Sequence, residues 1–575
     1  MDAYDRFFVD KANRTFADTL TAFGLARVLA DLLERQEEGG GDVLITDRGG
    51  YFQLTCSPPL ERATIETLAT DRISPIPAIR TEKNAAALPE DVSALDYAAD
   101  RKRVNAHYAA RKAGAENPPP LPTYWEIERA INPGALSGYN RMVVDWWQLG
   151  ALQSDALELL LALYSTTPND YAGAIAAWKQ IGAPKTIKAE TTCLQLFNPD
   201  QGKGQNKPKA DGLSIGNTKG FWLTEWLKAV GFYEAALTRT VRGAKDRKTF
   251  VLAPRELALS TSAAVMSDFR ASMSAETSTK FDILAALRYT HRLLEHAQHE
   301  ESLVMRLLQR RSPKHVVAGF DTAFYKDLGN ATATMNMSFI ALPGWVQVTT
   351  RDDLELYTDP DRGVLTELEK VARQFDESHS DAFTLLQHLR DFISGDDLAA
   401  FFRFTNAFAG YYISRREQNQ YAYPLTTEFI ERLVMSTEKP LSRILETPGF
   451  QNIAYAIRQS TVTAQYRKKQ GDRKYDVRYG LGQELARKAR YPEAFIAALS
   501  DFLHKYNAEN AQVMETRPGP YRRSIKTSDI DDIVRLIDEY GSETVANLLI
   551  AYGYARVPRD EDEFAEHAET EEETA

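Results

Sequence analysis

The spacing of apolar residues divides the chain into a mixed region and a helical region. Apolar side chains recur at helical spacing over residues 15–36, which predicts a helix, and residues 42–45 and 51–56 predict two strands joined by a turn. Three later segments are rich in β-branched and aromatic residues and predict strands, at 191–199, 248–254 and 344–350. From about residue 361 onward the pattern predicts helices alone.

The ends of the last two predicted helices carry residues typical of helix caps. One helix begins near Thr527 or Ser528, whose hydroxyl is expected to cap it. Gly541 is expected to end that helix, because glycine tolerates the backbone conformation that follows a last helical turn. Ser542 is then expected to cap a final helix that runs to about Tyr554.

These patterns predict an α+β chain that is predominantly α, with a mixed α/β N-terminal region followed by a C-terminal helical bundle. A proline-rich linker at 116–123 indicates a boundary between an N-terminal α/β subdomain at 1–115 and a mixed α/β domain at 124–360. The helical bundle is expected at 361–558, and an acidic, disordered tail at 559–575.

Composition excludes several classes of protein. The two cysteines, Cys56 and Cys193, are far apart, which argues against a disulfide framework and against a cysteine-built zinc site. No apolar run is long enough to span a membrane, and the charged N-terminus lacks the apolar core of a signal peptide. We therefore expect a cytoplasmic protein in a reducing environment.

The net charge is unevenly distributed. It is −11 for 575 residues, but the last sixteen residues contain nine acids and no Lys or Arg, and without them the net charge is −2. Such a tail is either a solvated, disordered segment or a shield for a basic face elsewhere in the chain. The body of the protein is close to neutral and carries local basic clusters.

Catalytic motifs are missing from the sequence. His296 and His299 can share a helix face but lack the spacing of a metal-binding motif, and His291 lies well round the helix. The pair Asp396 and Asp397 follows a glycine between helical segments, where Asp396 or the preceding serine would cap a helix. No phosphate-binding loop or serine-nucleophile motif is present. We expect no enzymatic activity, no metal and no cofactor.

Two basic segments occur in the middle of the chain. The segment 198–209 follows a predicted strand, and its glycines would let backbone amides approach a phosphate. The side chains in it that we expect to contact nucleic acid are Lys203, Gln205, Asn206, Lys207 and Lys209. The segment 239–248 holds five basic residues and one acid. The alternative for both is a solvated surface loop.

The strongest basic signal lies in the predicted bundle. Residues 458–490 contain ten Lys or Arg and three acids, a net charge of +7, with Tyr466, Tyr475 and Tyr479 interleaved and Tyr491 following directly, and residues 517–526 add four basic residues and no acid. Basic side chains neutralise phosphates, and aromatic faces stack on unpaired bases. We expect the following residues to follow a single strand: Arg467, Lys468, Lys469, Arg473, Lys474, Arg478, Arg522 and Arg523. A solvated charged face is the alternative.

The chain resembles the large subunit of type I CRISPR interference complexes (Cascade). The resemblance is carried by YWEIERAINPGALSGYNRMVVDWW, by LQLFNPDQGKGQNKPKADGLSIGNTKGFWLTEWLKAVGFYEAAL and by GAKDRKTFVLAP. The C-terminal bundle, from about residue 450 to 556, is similar to the separate small subunit of such complexes. The Cys-x-x-Cys pairs of some large subunits and the His-Asp nuclease domain of others are missing, which leaves the subtype open.

The resemblance implies a non-catalytic subunit of a guide-RNA-directed DNA surveillance complex that acts in antiviral defence. Such a subunit recognises the short motif that flanks the target (the PAM), stabilises the R-loop and the displaced strand, and recruits a helicase-nuclease or a transposition factor. Its partners would be guide RNA, target DNA, the backbone and guide-handle-capping subunits, and a small subunit. That small subunit could come from its own C-terminal region by a start at Met435.

Under this hypothesis the loop 202–209 contacts the flanking motif or the guide handle. Two alternatives come from other classes of protein. The first is a structural scaffold whose basic faces bind acidic protein partners. The second is a nuclease with an acidic site that matches no known motif.

Overall fold

The computed structural model describes residues 3–36, 40–66, 72–115, 117–131, 135–201, 218–329, 332–395, 398–517 and 521–557. Two compact units make up the chain: unit 1 is Met1–Phe281 with Arg288–Leu342, and unit 2 is Asp282–Leu287 with Pro343–Ala575. Helices account for 58% of the residues and strands for 15%, with a mixed α/β region at the N-terminus and a helical region at the C-terminus. The predicted fold class, α+β and predominantly α, is confirmed.

The elements from the N-terminus to residue 192 are a mixture of strands and helices. They are β1 (Ala3–Asp10), α1 (Phe16–Gln36), β2 (Asp42–Asp47), β3 (Tyr51–Glu61), α2 (Arg62–Glu66), β4 (Ala78–Arg80), β5 (Ala94–Asp96), α3 (Tyr97–Lys112), α4 (Trp125–Ile131), α5 (Leu136–Gln148), α6 (Gln153–Tyr164), α7 (Tyr171–Trp178) and β6 (Glu190–Thr192). The predicted helix at 15–36 and the predicted strands at 42–45 and 51–56 are confirmed.

The next elements run to residue 341. They are β7 (Lys219–Phe221), α8 (Trp222–Ala235), β8 (Ala236–Thr240), β9 (Arg247–Pro254), β10 (Glu256–Ala258), α9 (Leu259–Ser272), α10 (Ser278–Ala297), α11 (Glu301–Arg310), β11 (Val317–Asp327) and β12 (Thr332–Ala341). One antiparallel sheet has the order β1-β3-β2-β10, and a second has the order β12-β11-β9-β8.

Helices α1 and α8 form the core of unit 1, and two glycines set their distance. A Cβ at Gly24 would overlap the backbone carbonyl of Leu227, and a Cβ at Gly231 would overlap that of Leu20. Only glycine lets the two backbones approach this closely. Helix α1 is buried along most of its length because it also packs against β2, β3 and β9.

The regular elements that the structure describes in unit 2 beyond residue 343 are helices. They are α12 (Asp352–Thr358), α13 (Val364–Arg373), α14 (Ser380–Ser394), α15 (Leu398–Glu417), α16 (Thr427–Thr437), α17 (Ser442–Glu446), α18 (Pro448–Ser460), α19 (Val462–Lys469), α20 (Leu481–Lys488), α21 (Pro492–Thr516), α22 (Thr527–Tyr540) and α23 (Ser542–Tyr554). The helical pattern predicted from about residue 361 is confirmed.

Helices α15, α18 and α23 lie at the centre of unit 2. Helix α15 packs against α14, α19, α20 and α23, and α18 packs against α22 and α23. The close approach of α18 and α23 depends on Gly553, where a Cβ would lie 2.7 Å from Ile457 Cγ2. The first turn of α19 follows α18 directly, so this core also positions the basic residues of α19.

Two strand predictions were wrong. Only Glu190–Thr192 is a strand in the segment 191–199; the rest forms turns in which Phe197 donates to the Leu194 carbonyl. The segment 344–350 has no strand, because its apolar residues pack individually among helices: Trp345 stacks on Phe392 with ring centroids 5.1 Å apart. Both segments are rich in β-branched and aromatic residues because these side chains are buried in loops, and this composition does not make the segments strands. The strand predicted at 248–254 is confirmed as β9.

The predicted bounds of the last two helices and the end of α22 at Gly541 are confirmed, but the predicted N-terminal caps are wrong. The Asp529 carboxylate, rather than a hydroxyl of Thr527 or Ser528, accepts the backbone N–H of Lys526 at 2.8 Å. The Ser542 hydroxyl donates to the Ala489 carbonyl at 2.6 Å instead of capping α23. Helix α22 begins at Thr527, so Thr527 and Ser528 lie within its first turn and Lys526 occupies the cap position, while Ser542 is buried against a neighbouring segment.

The described residues contain neither a membrane-spanning helix nor a cluster of metal-binding side chains. There, no helix combines the length and the apolar character needed to cross a bilayer. Within the same residues, no three His, Cys, Asp or Glu side chains come together in a way that could hold a metal ion.

Asp321, half-buried on β11, makes the stability of unit 1 depend on pH. Desolvation raises the pKa of its carboxyl from 3.8 to about 6, against the opposing effect of Lys11 and with a smaller contribution from Asp47. The folded state therefore holds this proton more tightly than the unfolded chain does. The associated stability is present below about pH 4 and is lost as the pH rises through about 6.

We expect Asp321→Asn to raise the free energy of unfolding at pH 7.5 by up to about 2 kcal/mol, because the cost of the buried charge is removed. At pH 4 the variant and the wild type should melt at nearly the same temperature. Thermal melts at both pH values test this. A variant that melts lower than the wild type at pH 7.5 contradicts it.

Candidate nucleic-acid interface

The first predicted site falls outside the part of the chain that the structure describes. Residues 202–217 are not described, so the predictions for Lys203, Gln205, Asn206, Lys207 and Lys209 are neither supported nor opposed. Asp396 and Asp397 also lie outside the described residues. The hydroxyl of the preceding Ser394 bonds back to the Arg390 carbonyl within α14.

A buried polar cluster joins the two sides of this loop, with Asn198 before it and Glu225 and Lys228 after it. Lys228 Nζ lies 2.5 Å from Glu225 Oε1 and donates to Asn198 Oδ1 at 2.7 Å, while Asn198 Nδ2 donates to Glu225 Oε2 at 2.9 Å. All three side chains are buried. A buried charge pair needs such additional hydrogen bonds to offset its desolvation. The cluster fixes Asn198, four residues before the undescribed segment.

The second basic segment, 239–248, is partly buried in unit 1. Arg239 is 5% exposed, forms an ion pair with Glu126 at 2.7 Å and donates to the carbonyls of Arg270 and Met273. Burial lowers its pKa to about 10. Lys248, opposite it on β9, is also buried. The run therefore presents fewer cations to solvent than its sequence indicates.

The third basic signal forms an exposed surface of unit 2. Helix α19 ends in Arg467, Lys468 and Lys469, and Lys468 Nζ donates to the Tyr479 hydroxyl at 3.1 Å. Lys469 bonds to Asn419 Oδ1 at 2.7 Å and to the Arg416 carbonyl. We call this surface the basic ridge; its predicted cations that are exposed or partly exposed are Arg467, Lys468, Lys469, Arg473, Lys474 and Arg523.

The structure brings the two basic segments of the bundle together. Arg517 donates to the Arg473 carbonyl at 3.3 Å. Glu509 lies 2.5 Å from Arg522 and 3.9 Å from Arg478, and also accepts the backbone N–H of Asp476 at 2.8 Å. Segments separated by about forty residues thus share one face because a single carboxylate on α21 joins them.

Arg522 supports this surface from inside and is not part of it. Its side chain is 4% exposed, and its Nε donates to Asn510 Oδ1 at 2.9 Å. Its guanidinium carbon lies 3.6 Å from the centroid of Tyr475 and 4.5 Å from that of Tyr506. Contact with a nucleic-acid strand, which the sequence predicted for Arg522, is not available to a buried side chain. Arg478 is half-buried and faces Phe502 and Glu509.

Tyrosines are exposed around the basic ridge. Tyr466 and Tyr479 are each 44% exposed, and Tyr491 is 61% exposed. Tyr475, the fourth tyrosine of the segment, is buried against Arg522. Arg523 is exposed, and its guanidinium carbon lies 4.2 Å from the centroid of the Tyr455 ring. Cations and aromatic faces are therefore interleaved in space as well as in sequence.

A cleft of about 760 Å³ opens beside the basic ridge. Helices α15, α18 and α19 contribute to its wall, together with residues 421–426 and 556–557. Five tyrosines and three arginines line it, and no acidic side chain is among the described residues that do so. We call it the tyrosine cleft; its aromatic and cationic residues are Tyr412, Tyr421, Tyr423, Tyr455, Tyr466, Arg416, Arg458 and Arg556.

Hydrogen bonds from several helices hold the wall of the tyrosine cleft. Arg458 donates to the carbonyls of Ala555 and Tyr552 at 2.7 and 2.6 Å, and Gln465 donates to the Ile413 carbonyl at 2.8 Å. Burial lowers the pKa of Arg458 to about 10, so it keeps its positive charge at neutral pH. These hydrogen bonds join α18, α19, α15 and the C-terminal end of α23 around the cleft.

Sequence analysis did not identify the tyrosine cleft, although a signal was present. Residues 411–424, YYISRREQNQYAYP, interleave tyrosines with two arginines in the same way as residues 466–491. The remaining lining residues come mainly from three other segments, and the packing of α15 against α19 and the pairing of Thr426 with Arg556 bring them together. A count of aromatic and basic residues over 411–424 would have identified half of the aromatic and cationic residues that line the cleft.

A second cavity, of about 540 Å³, lies in unit 1. Its charged lining residues are three cations and three acids: Lys11, Arg14, Arg255, Asp18, Asp47 and Asp321. Lys11 pairs with Asp47 at 2.6 Å, and Asp18 accepts the backbone N–H of Arg14 at 2.8 Å. The formal charges balance, so this cavity does not favour an anionic ligand, in contrast to the tyrosine cleft.

Comparison with known proteins adds no relative. No protein-family model matches the chain, and no curated protein matches it.

Proposed function

We propose that this protein binds nucleic acid through unit 2, as the non-catalytic large subunit of a guide-RNA-directed DNA surveillance complex. The observation that carries the binding proposal is the basic ridge beside the tyrosine cleft. Cations neutralise the phosphates of a strand, and exposed aromatic rings stack on its unpaired bases. An acidic protein partner would use the cations but would leave the exposed tyrosine faces without a role.

The finer assignment comes from the sequence resemblance. It supports recognition of the target-flanking motif, stabilisation of the R-loop and recruitment of an effector. The partners proposed with it are guide RNA, target DNA and the other Cascade subunits. In this proposal the basic ridge follows the displaced strand, since unpaired bases are available only there.

A salt titration of the purified chain tests the binding proposal. We expect a fluorescent single strand of about 30 nucleotides to bind more tightly than a duplex of the same length, and log affinity to fall linearly with log salt. The scaffold alternative predicts no such binding to either DNA. Cutting of either strand with Mg²⁺ or Mn²⁺ present would support the nuclease alternative.

Deleting residues 560–575 is expected to strengthen binding of a single strand. The deletion removes nine acids and no Lys or Arg, and Val557, three residues before it, lines the tyrosine cleft. The negative charges of the tail would repel the negatively charged strand and would compete with it for the cations of the basic ridge. We expect several-fold tighter binding at about 50 mM salt, a range in which screening is weak.

The control for this deletion replaces residues 560–575 with an uncharged Gly/Ser segment of equal length. Both variants should bind alike if charge is the cause. Affinity unchanged from that of the wild type in both variants would show that the tail is a solvated segment with no effect on the basic ridge.

A further inference from the structure

We propose that the tyrosine cleft holds an unpaired nucleotide of the bound DNA strand, with its base against the exposed tyrosine rings and its phosphate against Arg416 or Arg556. This inference rests on the proposed function and assigns one site within it. The basic ridge then provides charge along the strand, while the tyrosine cleft selects for bases that are not paired.

The charges of the cleft suit a phosphate. Arg416, Arg458 and Arg556 line it without an acidic neighbour among the described lining residues. Arg458 is committed to the carbonyls of Ala555 and Tyr552 and forms part of the wall. Arg416 and Arg556 lie at less buried positions, and a guanidinium can donate two parallel hydrogen bonds to a phosphate.

The aromatic residues of the cleft suit a base. Tyr421 is 73% exposed and Tyr466 is 44% exposed, so each presents a ring face to solvent. The other three rings are more buried, and the hydroxyl of Tyr423 is engaged by Glu367 Oε2 at 2.8 Å. The volume of about 760 Å³ lies within the range of about 300–1,000 Å³ found for small-molecule sites.

The position of the cleft favours a strand over a free nucleotide. Tyr466 lines the cleft, and Arg467, Lys468 and Lys469 follow it on the same helix. Arg523, another cation of the basic ridge, stacks on Tyr455 of the cleft wall. A strand that follows the ridge therefore passes the cleft, and a base can enter it without leaving the phosphate contacts.

Binding of a single strand that contains 2-aminopurine to the full-length chain tests the inference. We compare the wild type with Tyr421→Leu/Tyr466→Leu and with Tyr421→Phe/Tyr466→Phe, the matched control that keeps both rings. The leucine variant should lose about tenfold or more in affinity and most of the 2-aminopurine quenching, whereas the phenylalanine variant should stay within about twofold. The salt slope should not change in either variant, since no cation is removed.

A second arm uses wild-type protein alone and so does not depend on how the variants fold. A strand with abasic sites throughout should bind as weakly as the normal strand binds to the leucine variant. Equal affinity for the abasic and normal strands overturns the inference. Free deoxynucleotide monophosphate that binds as tightly as the strand would show a free-nucleotide site and also overturns it.

The two proposals fail in different ways. Absence of salt-sensitive binding by the wild type overturns the proposed function and this inference together. Salt-sensitive binding by the wild type with no loss in the leucine variant overturns only the cleft, and leaves the basic ridge as the interface.

Discussion

Replacing Arg467, Lys468 and Arg473 together by glutamine is expected to weaken binding of a single DNA strand by about 100-fold at 0.1 M salt. Each cation that contacts a phosphate of a single strand contributes about 0.7 to the slope of log affinity against log salt, so loss of three contacts lowers the slope by about 2. A slope change of 2 corresponds to about 100-fold over the tenfold range below 1 M salt. Fluorescence anisotropy across a salt series measures both quantities.

The matched control replaces three exposed cations elsewhere in unit 2, namely Arg403, Lys505 and Arg535. It changes the net charge by the same amount, but these residues lie on α15, α21 and α22 and are not among the residues that define the basic ridge. We expect a loss of only a few-fold, from long-range electrostatics. Equal losses in both triple variants would mean that net charge, and not the ridge, determines binding.

Replacing Arg522 by methionine is expected to lower the free energy of unfolding of unit 2 by about 3 kcal/mol, because it leaves the Glu509 carboxylate without its closest partner. It also removes the cation from between Tyr475 and Tyr506. Thermal and chemical denaturation should show that unit 2 unfolds at a lower temperature and a lower denaturant concentration than in the wild type. A separate transition is expected because a chain of two units need not unfold in a single step.

The neighbouring Arg523 provides the control. Arg523→Met removes the same charge from an exposed position, so its effect on stability should be below about 1 kcal/mol. Its effect on DNA affinity should exceed that of Arg522→Met in samples kept below the melting transition. A variant at Arg522 that melts like the wild type would contradict the structural role assigned to this residue.

The helix bounds of unit 2 suggest a second starting point for the fragment in the small-subunit hypothesis. Met435 lies within α16, so a start there would begin partway through a helix and would omit α12 to α15. Helix α15 packs against α19, α20 and α23, and a fragment without it would expose part of that core. A fragment that begins at Pro343 keeps these contacts, and comparing the two fragments tests where an autonomous unit begins.

Periodicity and charge in the sequence were sufficient for several conclusions. The predominantly α class, the helix at residues 15–36, the strand at 248–254 and the last two helices follow from local patterns, because a helix or strand displays its buried face at a fixed spacing. The clustering of basic residues in the bundle was also visible, since charge is a property of composition.

Only the tertiary structure decided the role of each charged residue. Arg522 and Arg523 are adjacent and chemically identical in sequence, yet one is buried between two tyrosines and the other is exposed on the basic ridge. Arg239 likewise looks like a surface cation and is buried beside Glu126. Burial depends on which distant segment packs over a position, and local sequence does not contain that information.

The tyrosine cleft depends on tertiary structure for the same reason. Its lining comes from α15, from residues 421–426, from α18 and α19, and from residues 556–557, which meet through α15–α19 packing and the pairing of Thr426 with Arg556. Sequence alone determined that this region is mainly helical and that it is rich in aromatic and basic residues. The long-range contacts of unit 2 determined that their side chains line one cavity, because a cavity is a property of several surfaces at once.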